Sequence, residues 1–67
     1  MKNYIYDMRT RKGISLDNLA VLANVGKTTI SNIENGKKNP NLITAFKIAK
    51  ALNISILELF EMEEKDF

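Results

Sequence analysis

An all-α fold, a bundle of five helices, follows from three observations on this 67-residue chain. Apolar residues recur at three- and four-residue spacing along most of its length. The residues Ser15, Asn41 and Ser55, all good N-caps, stand just before those runs. Gly13, Asn35-Gly36 and Asn53 interrupt them where helices would end. No strand is expected, because the alternation Asn53-Ile54-Ser55-Ile56 is too short to outweigh its helical flanks. Residues 1–67 read as one domain with its core between about 3 and 62, without a repeat or linker.

The first helix is predicted from about Asn3 to Lys12, with Ile5 and Met8 on its buried face and Tyr4 and Arg9 beside them. Arg11 and Lys12 suit its negative C-terminal pole. Helix two spans Leu16 to Ala23 behind the cap Ser15, with Asp17 in its first turn and Leu19, Ala20 and Ala23 on one face. Helix three spans Lys27 to Glu34, with Ile30 and Ile33 inward. Pro40 biases Asn39 away from helical geometry, so Lys37, Lys38 and Asn39 form a polar loop. Helix four, Leu42 to Leu52, follows the cap Asn41 and would bury Leu42, Ala45, Ile48, Ala49 and Leu52. Helix five runs from Ile56 to about Met62, with Ile54, Ile56, Leu59 and Phe60 as core candidates, and Glu63 to Phe67 reads as a frayed tail.

Composition narrows the chemistry. The chain has no Cys and no His, which excludes disulfides, thiolate metal sites, a Ser-His triad and a histidine general base. No carboxylate pair looks catalytic, so the expectation is a protein that is not an enzyme and needs no cofactor or metal. No apolar run approaches the roughly 18 residues of a membrane span, and no signal peptide follows Met1-Lys2-Asn3-Tyr4. A cytoplasmic protein with no membrane partner is expected. Net charge is +2, but unevenly spread. Residues 1–50 hold nine cations against three anions, net +6, and residues 51–67 hold one against five, net −4. A basic body with an acidic tail suits an anionic partner on one side.

The stretch from Ser15 to Gly36 is the most specific signal. Two short amphipathic helices are joined by Asn24, Val25 and Gly26. Ala20 permits a close crossing, Asn24 tolerates a left-handed backbone, and Val25 plugs the gap between the helices. This is the layout of a helix-turn-helix, which presents its second helix to the DNA major groove. The outer face of that helix carries Lys27, Thr28, Thr29, Ser31 and Asn32, short polar groups with one cation. Of these, Lys27, Thr28, Thr29 and Asn32 are the candidate base contacts: Lys27 for guanine O6 and N7, Asn32 for adenine, and the Thr methyls for thymine.

The chain resembles the Cro and phage-repressor-like helix-turn-helix proteins of the XRE family. The resemblance rests on Met8-Arg9, Lys12-Gly13-Ile14-Ser15, Leu19-Ala20, Val25, Thr29-Ile30-Ser31, Ile33 through Lys37, Asn39-Pro40, Leu42, Lys47 through Leu52 and Leu59-Phe60. Each fragment alone is weak, whereas their order and spacing from about Ile5 to Phe60 are specific. The resemblance implies a five-helix bundle that binds DNA sequence-specifically as a transcriptional regulator. It implies phosphate contacts from Lys37, Lys38 and Asn39 and from the helix start near Ser15, and a structural bridge between Arg9 and Glu34. Three departures stand out. Leu16 replaces a Gln that in the family touches phosphate. Gly26 replaces a Ser or Thr cap, leaving a bare N–H that suits a phosphate. Ile43 and Leu57 are apolar where the family tends to be charged.

Helix five, with Ile56, Leu57, Leu59, Phe60 and Met62, carries more apolar residues than one buried stripe hides. Leu57, Phe60 and Met62, with Ile43 and Tyr6, are the candidate homodimer interface. A two-fold dimer would set two recognition helices about 34 Å apart and match a palindromic operator in double-stranded DNA. The expected function is a small dimeric repressor reading DNA through residues 27–34. The alternative is a protein-binding adaptor or antitoxin that holds another protein on the apolar C-terminal helix.

Overall fold

The computed structural model describes residues 1–67. Five helices form it: α1 (Ile5–Arg11), α2 (Leu16–Ala23), α3 (Lys27–Glu34), α4 (Leu42–Leu52) and α5 (Ile56–Leu59). Two short strands, β1 (Lys2–Asn3) and β2 (Phe60–Glu61), pair antiparallel, with Lys2 opposite Glu61 and Asn3 opposite Phe60. A 3₁₀ turn over Glu64–Asp66 follows.

The starts of three helices are set by side chains. Ser15, Asn41 and Ser55 sit in extended geometry and accept from the N–H groups of Asn18, Thr44 and Glu58 at 3.1, 2.8 and 3.2 Å. Each satisfies a first-turn donor that has no partner inside its helix. The ends of α1 to α4 share one backbone device. Gly13, Asn24, Gly36 and Asn53 adopt left-handed backbone with φ of 71°, 55°, 74° and 56°. Each donates back into the last turn, and the following residue (Ile14, Val25, Lys37 or Ile54) donates to Arg9, Ala20, Asn32 or Ala49 at 2.8 to 3.1 Å. This is the Schellman motif, built twice on Gly and twice on Asn, the two residues that enter the left-handed region at least cost.

The core comprises Ile5, Leu19, Ala23, Ile30, Ile33, Ala45, Ile48, Ala49, Leu52, Leu59 and Phe60. Every helix contributes, and no charged or polar residue is buried among them. Small residues at Ala23, Ala45 and Ala49 let α2 and α4 approach closely, and Ala20, Val25, Ile54 and Ile56 pack around the margin.

The structure corrects the sequence reading at both ends of the chain. α1 begins at Ile5 rather than Asn3, because Asn3 joins the ribbon. Its side chain accepts from the Ile5 N–H at 3.3 Å and donates to the Ile33 carbonyl at 2.9 Å, tying the ribbon to the end of α3. α5 stops at Leu59 rather than Met62, since Phe60 turns to extended geometry to pair with Asn3. The tail is ordered: Glu63 and Asp66 form a reciprocal capping box, and the Met1 ammonium donates to Asp66 at 2.7 Å. That ammonium, followed by the Glu63 N–H, holds the Asp66 carboxyl below its ordinary value. On α4, Leu42 is 68% exposed and outside the core, one turn short of the buried Ala45, Ile48, Ala49 and Leu52.

Candidate nucleic-acid interface

The helix pair α2–α3 is held at fixed register by its turn. Asn24 in left-handed geometry turns the chain, and Val25, half-buried against the core, donates to Ala20 at 3.1 Å. Gly26 is the N-cap of α3, in extended geometry with no side-chain hydrogen bond. The first-turn N–H groups of α3 therefore remain open to an anion, where the helix dipole favours one. A Cβ at Gly26 would meet only the Thr29 hydroxyl, at 3.7 Å, so neither space nor φ requires Gly in the protein alone.

Ile30 and Ile33 anchor α3 in the core, which turns its opposite face outward. Lys27 and Thr28 are exposed, while Thr29, Ser31 and Asn32 are half-buried at the flanks. The four predicted base contacts thus share the outer surface of one helix, with Thr28 and Asn32 one turn apart along its ridge. Ser31 and Asn35 form the neighbouring row at the same spacing, with the Asn35 amide 3.5 Å from the Ser31 hydroxyl. Of the predicted phosphate contacts, Lys37, Lys38 and Asn39 are exposed in the loop after α3, and Ser15 and Gly26 are exposed at the starts of α2 and α3.

Lys27 has a partner that helical periodicity did not reveal. Its ammonium lies 2.8 Å from the Asp17 carboxylate, across the gap between the starts of α2 and α3. Both groups are well exposed.

Behind this surface, Arg9 and Glu34 form the expected bridge. Arg9 Nε donates to Glu34 Oε2 at 2.8 Å and Nη2 to Oε1 at 3.1 Å, with both side chains nearly buried. Arg9 also donates to the Ile14 carbonyl at 3.3 Å and covers the Tyr6 ring at 5.0 Å. The hydrogen bond to Glu34 raises the Arg9 pKa above its ordinary value, against the opposing effect of burial.

The candidate dimer residues divide. Leu57 is 87% exposed and Met62 53% exposed, whereas Phe60 is a core residue at 8%. The pairing of β2 with β1 draws Phe60 inward, so it forms the floor of a surface groove instead of a projecting contact. The groove, about 480 Å³, runs between the start of α4 and α5, with Leu42, Ala45, Ile56, Leu57 and Met62 along it. Ile43 and Phe46 on α4 and Tyr6 on α1 are exposed outside it. No helix is long and apolar enough to cross a membrane.

The comparisons with known proteins match this architecture. The Helix-turn-helix family model matches residues 5–59. The uncharacterised HTH-type transcriptional regulator YgzD of Bacillus subtilis is 35% identical over 66 residues, 98% of this chain and all of that protein. Control protein C.MunI of a Mycoplasma species is 35% identical over 65 residues, 96% of this chain and 88% of that protein. Among solved structures, the restriction-modification controller protein C.AhdI of Aeromonas hydrophila superposes with a TM-score of 0.80 at 36% identity, over 84% of this chain and 85% of that one. The family match spans α1 to α5, including the α2–α3 pair whose outer face carries the predicted base contacts. The chain belongs to the XRE-type helix-turn-helix family of DNA-binding transcriptional regulators.

Proposed function

We propose that this chain is a dimeric repressor that reads a palindromic operator, with α3 in the major groove. The observation that carries the reading is the outer face of α3, where Lys27, Thr28, Thr29 and Asn32 stand on a helix anchored from behind by Ile30, Ile33 and the Arg9–Glu34 bridge. Lys27 and Asn32 supply the donors and acceptors that base edges discriminate, and the Thr methyls supply apolar contact for thymine. Lys37, Lys38, Asn39, Ser15 and the open N–H groups after Gly26 position the domain on phosphates without reading sequence. Dimerisation is supported by the exposed Leu57 and Met62 beside the apolar groove, with Leu42 taking a place the core does not use. Two copies joined there would set their α3 helices about one DNA turn apart. Occupancy of a promoter by such a dimer represses by occlusion. Similarity to control protein C.MunI and to the restriction-modification controller protein C.AhdI supports a regulator of this kind.

Selection of bound duplexes from a random DNA pool, followed across a salt titration, tests the reading. Enrichment of a palindrome with half-sites about one helical turn apart is the expected result. Salt-sensitive binding with no enriched motif would leave only the phosphate contribution and overturn it. Sedimentation of Leu57→Glu tests the interface: the variant should be monomeric, folded and weaker on the full palindrome.

A further inference from the structure

We infer that Asp17 is a positioning residue for specificity, holding Lys27 toward base edges and suppressing its use on random DNA. This inference rests on the DNA-reading assignment of α3. From Ser15 to Asn39 the chain holds two carboxylates, Asp17 and Glu34, and Glu34 is sequestered by Arg9. Asp17 is thus the one open anion in the segment that must face a polyanion. A carboxylate there opposes non-specific association.

Its placement gives it a second effect. Lys27 is the first residue of α3, at the positive pole of the helix dipole, and the first turn of α3 contains no acidic residue. The compensating charge comes from α2, where Asp17 lies in a first turn that itself favours an anion. The 2.8 Å contact joins the two helix starts through their side chains. An ammonium group has three donors. Kept near Asp17 by the ion pair, Lys27 can still turn donors to guanine O6 and N7, an arrangement available only when the correct base lies opposite. Toward a random duplex the pair presents no net charge, so Lys27 releases no counterion there. Without Asp17, the flexible lysine stem swings its charge to the nearest phosphate on any sequence.

The test compares wild type with Asp17→Asn and Asp17→Glu on the selected operator and on a random duplex, each across a salt titration. For Asp17→Asn, random-duplex affinity should rise about eightfold at 0.1 M salt, with a salt slope steeper by about one, the value of one added phosphate contact. Operator affinity should change less, so the ratio between the two falls. Asp17→Glu should restore the ratio, and thermal melts of the three proteins should agree, as expected for an exposed pair. In a Lys27→Ala background, Asp17→Asn should leave the ratio unchanged. An equal rise on both duplexes in the wild-type background, or no rise on either, would overturn the role of Asp17. Wild type that prefers no duplex would instead overturn the DNA-reading assignment, and this inference with it.

Discussion

Arg9 holds Glu34 with two parallel hydrogen bonds of 2.8 and 3.1 Å, fastening the middle of α1 to the last residue of α3. Guanidinium and carboxylate are matched in shape, so each satisfies the other in a nearly dry position. The bridge stands at the end of α3 and includes none of the predicted DNA contacts.

Glu34→Ala should therefore act on stability. Leaving the Arg9 charge without its partner is expected to cost about 3 kcal/mol. That is a large share of the roughly 3–10 kcal/mol available to a domain of this size. Urea unfolding should show the midpoint fall, and DNA binding should be lost in proportion to the folded fraction, with base preference retained.

The turn between α2 and α3 depends on the left-handed backbone at Asn24, φ 55°. Asn24→Ala should destabilise by about 1–2 kcal/mol, the cost of that conformation for a residue with an ordinary Cβ. Asn24→Gly should be nearly neutral or slightly stabilising. Chemical denaturation of both variants checks the contrast, since any variant that merely loses the Asn side chain would treat Ala and Gly alike.

Asp66 links the tail to acidity. Its folded pKa is lowered, chiefly by the Met1 ammonium, so its contribution to stability is present above the unfolded value and disappears as pH falls through the folded one. Asp66→Asn should lower the melting temperature at pH 6. The difference from wild type should shrink below about pH 4, the ordinary carboxylate range, and vanish once the folded carboxyl is also protonated. Melting curves of the two proteins across that range decide it.

On operator DNA, Asn32→Ala should weaken binding by about 1–3 kcal/mol and relax preference at one base pair. Lys38→Ala should weaken all sequences alike and reduce the salt slope by about one unit. Parallel titrations on the operator and a random duplex separate the two kinds of contact.

The parts of this fold that were legible in the sequence are those written locally. Ser15, Asn41 and Ser55 announce helix starts with signals that act over three residues, and Gly13, Asn24 and Gly36 announce ends in the same way. The outer face of α3 was equally legible, because Ile30 and Ile33 fix its orientation. What escaped depends on distant partners. Residues 60–61 continue a helical pattern in sequence, yet they pair with residues 2–3, whose position no local spacing reveals. Of the two places read for Phe60, core and interface, the ribbon selects the core, and the tail read as frayed is an anchored turn. Asp17 and Lys27 meet across two helices, so neither helix taken alone shows the pair.

The ribbon of β1 and β2 joins residues that lie far apart along the chain. Each helix with its caps, and the α2–α3 unit, is built from neighbours along the chain and collapses at little entropic cost. Joining Asn3 to Phe60 instead requires closing a loop that encloses nearly all the other elements. The contacts of the α2–α3 pair thus close at low entropic cost, whereas the ribbon, and with it the place of Phe60 under the groove, carries a large loop-closure cost. During synthesis the α2–α3 pair emerges before residues 60–61, so the groove floored by Phe60 waits for the second strand of the ribbon.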